Sequence, residues 1–169
     1  MQTRALTHRA LAGGVGFKYI NPNVLLVLSV VPAGSDTPRS LDAVFLDAVT
    51  GRVLFAQSHA GASGPVSAVV SEHWAVYSYW SGANARPEIA SVELGDGAAP
   101  TVSLWDAFAG TLAKPEPVSS FATGPVLHMA ATYFAPQTLI ALGATQTRHG
   151  IASKARLHAT LTRDLARRP

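Results

Sequence analysis

From residue 24 onward, short apolar runs alternate with clusters of turn-forming residues. Val24–Val31 holds a single polar residue, Ser29, and is rich in β-branched side chains. Such a run predicts a strand buried on both faces. Pro32 to Ser40 follows as a loop, broken by Gly34-Ser35-Asp36-Thr37-Pro38. Leu41–Leu46 and Val53–Ser58 come next, joined by Asp47-Ala48-Val49-Thr50-Gly51. There the Asp47 carboxylate can accept from turn amides and Gly51 can take positive φ, so the two runs form a predicted antiparallel hairpin. Val66–Val70, Trp74–Trp80 and Glu88–Leu94 continue the series, the last two as a second hairpin. Residues 95–125 break the rhythm with four glycines and four prolines and read as one long excursion, with a short helical turn over Leu104–Phe108. Val126–Phe134 and Leu139–Thr145 then read as a final pair of strands around Ala135-Pro136-Gln137.

No stretch carries the 3.6-residue apolar period of an amphipathic helix. Turns recurring about every 8–12 residues belong to sandwiches, barrels and propellers, so the fold class is all-β. If Trp74–Trp80 is a regular strand, Trp74, Val76, Ser78 and Trp80 share one face and Ala75, Tyr77 and Tyr79 the other. Two tryptophans on one face fill a core. Tyrosine tolerates a half-wet position, so Tyr77 and Tyr79, with Arg86 in the following loop, are the candidate partner-contact residues. Asn21-Pro22, Asp47, Gly51 and Gly64-Pro65 are read as structural turn residues.

Composition narrows the class. Apolar residues make up 48% of the 169 and charged residues only 14%, which argues for a chain that buries much of its surface, in itself or in a partner. The net charge of +3 is small for this length, and its positive share gathers late, where Lys154, Arg156, Arg163, Arg167 and Arg168 face only Asp164. That tail holds no aromatic residue, unlike the basic surfaces of nucleic-acid binders, and residues 155–169 read as a solvated basic tail. The absence of cysteine excludes disulfides and thiolate metal sites. The longest apolar run is far shorter than the roughly 20 residues of a membrane helix, and no leader-like stretch opens the chain.

Candidate chemistry is sparse. Gly61-Ala62-Ser63-Gly64-Pro65 approaches a nucleophile elbow, but Pro65 replaces the last glycine and a strand follows where a helix is needed. The six histidines lack metal-ligand spacing, and adjacent Glu72 and His73 point to opposite faces of a strand. Gly13-Gly14-Val15-Gly16 has neither the lysine nor the helix of a phosphate loop. No catalytic, cofactor-binding or metal-binding residue is assigned, and no cofactor is expected. The Asp47–Gly51 hairpin also resembles one repeat of a quinoprotein-type propeller. A propeller enzyme of that type, or a generic propeller interaction module, are the alternatives.

Four collinear blocks carry a stronger resemblance. They are Lys18-Tyr19-Ile20-Asn21-Pro22-Asn23 before the first apolar run, and Leu46-Asp47-Ala48-Val49-Thr50-Gly51-Arg52-Val53-Leu54. The third holds Gly64-Pro65-Val66, Glu72-His73-Trp74-Ala75-Val76-Tyr77-Ser78-Tyr79 and Arg86-Pro87-Glu88; the last is Ala144 to Lys154, with an Arg167-Arg168-Pro169 ending. Together they resemble the C-terminal lumenal region of the family of subunit 1 of the endoplasmic reticulum (ER) membrane protein complex. The resemblance covers roughly residues 17–154, leaves 1–16 unassigned, and implies an incomplete, propeller-like set of antiparallel blades. It further implies a non-enzymatic scaffold at the lumenal side of the ER membrane, which supports insertion of transmembrane helices. Its partners are the other subunits of that complex, with no nucleic acid. Members of that family are several times longer, with a signal peptide, an upstream propeller and a membrane helix, so this chain reads as a fragment that meets the membrane only through parts absent here. A hairpin that the family carries between Lys154 and Arg168 is expected to be missing.

Overall fold

The computed structural model describes residues 6–11, 14–35, 38–71, 73–98, 103, 105, 109, 118–122, 124–137, 139–144 and 156–160. The described strands are β1 (Leu6–Leu11), β2 (Gly14–Lys18), β3 (Val24–Val31), β4 (Ser40–Asp47), β5 (Val53–Ala60), β6 (Ala62–Ser71), β7 (Trp74–Ser81), β8 (Arg86–Asp96), β9 (Val126–Phe134), β10 (Leu139–Ala144) and β11 (Arg156–Thr160), and Trp105 and Ala109 are helical. The helical turn expected over Leu104–Phe108 falls, except for Trp105, outside the described residues, as does most of the long excursion.

Three open antiparallel sheets follow one another along the chain. β3-β4-β5 form the first, with Leu41 facing both Val30 and His59 across the ladders. In the second, β6-β7-β8-β9 run up and down in sequence order, as the four strands of a propeller blade do. β2 pairs with the last residues of β8, Gly95 and Asp96, and brings β1 with it. The third sheet pairs β10 with β11, and β10 lies against β6. The incomplete, propeller-like arrangement expected from the sequence is what the chain adopts. Both expected hairpins, β4–β5 and β7–β8, are present.

The core lies between the first two sheets. Leu41, Ala43 and Phe45 of β4 are fully buried against Ala75, Tyr77 and Tyr79 of β7 and Ala90, Val92 and Leu94 of β8. Each large apolar side chain so buried contributes about 1.5–3 kcal/mol. Alternation drives this packing: β4 buries every second residue from Leu41 to Asp47, while its other face stays half-covered.

Several expectations need correction. β3 is not buried on both faces. It is an edge strand whose outward side chains Leu25 and Val27 are 51% and 44% exposed. β7 is the doubly buried strand, with Trp74, Val76 and Ser78 covered on the face opposite Tyr77. The last two strands do not pair with each other: β9 pairs with β8, and β10 with β11. β11 itself lies in the segment read as a solvated tail, and β1 in the unassigned N-terminus. Finally, Gly64-Pro65 is not a turn but an irregularity inside β6, where the register to β7 shifts between Ser63 and Ser67. Proline cannot donate to a ladder, and here the pairing shifts around it.

The true corner between the first two sheets is Gly61, with φ of +72°, whose N–H donates to the Arg39 carbonyl at 2.6 Å. The Gly82 N–H donates to the Gly61 carbonyl at 3.0 Å, and a Cβ on Gly82 would sit 2.6 Å from that oxygen. Only glycine fits there.

Candidate functional site

Two buried polar clusters collect the residues singled out by sequence. The first is the corner around Asp47. Its backbone N–H and C=O bond Arg52 and Gly51, and its Oδ1 accepts from the Val49 and Thr50 amides at 2.8 and 3.2 Å. Gly51 closes the turn at φ of +70°. Asp47 Oδ2 accepts from Asn21 Nδ2 at 2.8 Å, and Asn21 Oδ1 accepts from the Asn23 amide at 2.9 Å, so the Asn21-Pro22 turn is clamped to the β4–β5 turn. Asn21 and Asn23 also donate to Ser120 Oγ, and Arg52 reaches the carbonyls of Ala122 and Gly124. Burial alone would raise the Asp47 carboxyl. Hydrogen bonds from Ser120, the Val49 and Thr50 amides and Asn21 outweigh it and hold the group below its ordinary range. This corner ties residues 21–23, 47–52 and 120–124 together. Four of the residues read as turn formers, Asn21, Pro22, Asp47 and Gly51, sit in it.

The second cluster crosses the core. Tyr77 and Tyr79, expected at a half-wet surface, are interior: Tyr77 is 0% exposed and Tyr79 4%. Their hydroxyls meet His59 of β5, Tyr77 at 2.7 Å from Nε2 and Tyr79 at 2.9 Å from Nδ1. Tyr79 donates its one proton to Glu88 Oε2 at 3.0 Å. His59 Nδ1 is therefore the donor to Tyr79, which leaves Nε2 as acceptor for the Tyr77 proton. Asn84 and Arg86 complete Glu88 through Oε1, at 2.7 and 3.4 Å. Burial lowers His59 below its ordinary value, against the pull of Glu88 and Asp42. The same burial pushes the Tyr77 phenol up to about 12. Burial would raise Glu88, but hydrogen bonds from Asn84, Tyr79 and Arg86 hold it lower than usual. A neutral imidazole, two protonated phenols and one paired carboxylate thus form a relay joining β5, β7 and β8. Such a network fixes how the two sheets meet. Beyond it, the Tyr79 hydroxyl also bonds the Thr132 side chain of β9.

Arg86 alone of the three candidate contacts is at the surface, its guanidinium 5.3 Å from the Phe134 ring centroid. Phe134 beside it is exposed, as are Trp80 and Tyr133 on the opposite face of the sheet. Sequence reading passed over the Arg86–Phe134 pair because Phe134 is distant in the chain and only the β8–β9 ladder brings it beside Arg86. Ser63 lies on β6 opposite Trp80, with no histidine bonded to it among the described contacts. His73 is buried, 3.2 Å from Glu93 Oε1, and its Nδ1 has no partner among the described residues. Glu72 lies outside the described residues, as do His149, Lys154 and Arg163, Arg167 and Arg168 of the basic tail.

Residues 2–167 match the family described as "ER membrane protein complex subunit 1, second beta-propeller". This chain belongs to that family. The family's subunit 1 from Xenopus laevis is 32% identical over 141 residues, which is 82% of this chain and 13% of that protein. The Gallus gallus protein is also 32% identical, over 143 residues, with the same shares covered. In Schizosaccharomyces pombe the identity is 36% over 86 residues, 49% of this chain and 9% of the relative. The chain thus spans about an eighth of the length of the two vertebrate relatives it matches, given the 13% share. No helix among the described residues is long and apolar enough to cross a membrane.

Proposed function

We propose that this chain is a structural part of a scaffold subunit of the ER membrane protein complex. On this reading it has no chemistry of its own, lies on the lumenal side, and supports insertion of transmembrane helices by holding other subunits in place. Family membership supports the assignment to that subunit. The carrying observation is the division of labour in the chain: the buried His59, Tyr77, Tyr79 and Glu88 groups bond one another, while apolar strand surface is left facing outward on β3 and β9. A catalytic centre has the opposite arrangement, with poised polar groups aimed into a cleft.

The test is affinity purification of the full-length protein carrying this chain from detergent-solubilised membranes. Recovery of the other complex subunits in stoichiometric amounts is the expected result. A protease-protection assay on sealed microsomes should leave this segment intact. Recovery of the protein alone, or its cleavage from the cytosolic side, would refute the proposal.

A further inference from the structure

The outer edge of β9 presents a row of backbone groups that the ladder to β8 does not use. Two flanking hydrogen bonds set its geometry: the Ala135 N–H donates to the Pro87 carbonyl at 3.1 Å, and the Gly97 N–H to the Pro125 carbonyl at 3.0 Å. Antiparallel ladders alternate bonded and non-bonded pairs, and the β8–β9 register runs unbroken from Glu88↔Phe134 to Asp96↔Val126. The odd-numbered residues of β9 therefore bond to β8. Val126, His128, Ala130, Thr132 and Phe134 turn their N–H and C=O groups away from it. The other ladder of β8 agrees, since the Leu94 N–H donates to the His73 carbonyl on the β7 side.

Edge strands of monomeric domains are ordinarily blunted by charge, proline or a bulge. The far edge of the same sheet, β6, follows that rule with Pro65 and a register shift. β9 does not. Its nine residues, VLHMAATYF, contain no acid, lysine, arginine, proline or glycine, and the register has no bulge. Seven of the nine are exposed, and β8 is the strand's sole ladder partner among the described residues. At one end stand Tyr133 and Phe134, 55% and 57% exposed, with Arg86 over the Phe134 ring on one face of the sheet and Trp80 exposed on the other, the face of Tyr133. Tryptophan, tyrosine and arginine are the side chains that most often anchor an interface.

We propose that another subunit of the complex adds an extended strand to the outer edge of β9, anchored at the Arg86–Phe134 end. The backbone row fixes the occupant as an extended segment. The uncharged edge selects one that is itself largely uncharged along the paired stretch, because an unpaired charge desolvated there is costly. The proposal rests on the scaffold reading above.

The experiment uses the full-length protein in its membranes. A photo-crosslinking amino acid replaces Ala130, whose peptide group points outward, and a second version carries it at exposed Val49 as a control. We expect a covalent adduct with another subunit from position 130 and not from position 49. Ala130→Pro deletes an outward N–H while sparing the β8 ladder, and Ala130→Lys leaves the backbone intact but charges the edge. Both should reduce recovery of that neighbour about tenfold, the effect of one unmade buried hydrogen bond or one misplaced charge. Ala131→Pro, which breaks the β8 ladder, should instead lower the level of the protein itself.

Adducts only with lipid, with the same polypeptide or with a second copy of it would overturn the proposal. So would wild-type recovery in both Ala130 variants. If the unsubstituted protein recovers its partners while the β9 variants are silent, the edge proposal alone fails. If the unsubstituted protein recovers none, the scaffold reading fails.

Discussion

β3 and β7 look alike as sequence and occupy opposite situations. Both are eight-residue strands without a charged residue. β3 is aliphatic but for Ser29, whereas β7 carries two tryptophans, two tyrosines and two serines. By hydropathy β3 belongs inside. Yet β3 is an edge strand with its outward face in solvent, and β7 is covered on both faces. Apolar content thus sets which strands tolerate burial, while topology sets which are buried. β7 has ladder partners on both sides and lies beneath β4 and beside β10. The polar atoms of its tyrosines are acceptable there because His59 and Glu88 satisfy them.

The sharpest way to break this comparison is to truncate β7. Tyr77→Ala should cost about 3–5 kcal/mol, the usual range for removing a large buried ring. The loss combines a cavity against Ala90 with a His59 nitrogen left without its donor. Val27→Ala on β3, which empties nothing, should cost well under about 1 kcal/mol. Denaturant midpoints for the two variants measure the difference. Equal losses would mean that β3 is as buried as its composition suggests.

Much of this was legible beforehand, for local reasons. Asp47 and Gly51 announce their turn because the contacts that make it lie within five residues, and the alternation of β4 announces its buried face. The facing of β7 was not legible. Tyrosine suggested a half-wet surface, and the partner that satisfies Tyr77, His59, is 18 residues away on another sheet. The strands β1, β2 and β11 escaped because they are short and mixed in polarity, with ladders that depend on distant partners. Gly64-Pro65 looked like a turn because proline usually ends a strand, whereas here the ladder shifts register around it.

The relay beneath β7 gives a smaller effect with a defined sign in pH. Glu88→Ala leaves the Tyr79 hydroxyl and the Asn84 amide without their acceptor and should cost about 1–3 kcal/mol. Acid should weaken the same link without mutation. His59, Glu88 and Asp47 all sit below their ordinary values in the fold, so each contributes stability that is full above that value and is lost as pH falls. Loss should begin below the ordinary histidine value of 6.5 and deepen below the carboxylate values of 4.5 and 3.8. His59→Gln cannot titrate and should remove the first stage while leaving the second. A melting-temperature profile between neutral and acid pH reads both stages. An unchanged first stage in His59→Gln would detach the relay from the acid response. At the alkaline end Tyr77 has the reverse sign: its contribution is whole below 10.0 and fades as pH climbs through about 12.

The smallest expected effect on stability is the most direct test of β3. Leu25 and Val27 project from the first sheet on the side away from the core, in register with Leu46 and Val44, and Val53 on β5 adds to the same exposed face. Replacing Val27 by Thr keeps the β-branched shape and adds a hydroxyl that water can satisfy. Its stability should move by no more than about 0.5 kcal/mol. The same change at Val76, 1% exposed, puts a hydroxyl into a covered face and should cost about 1–3 kcal/mol. A second readout separates exposure from mere tolerance. Apolar sheet faces promote association, so Leu25→Thr with Val27→Thr should lower the aggregated fraction of the isolated chain in size-exclusion chromatography. If Val27→Thr instead proves as costly as Val76→Thr, the outward face of β3 is covered within the chain. The contrast between the two strands would then be one of composition alone.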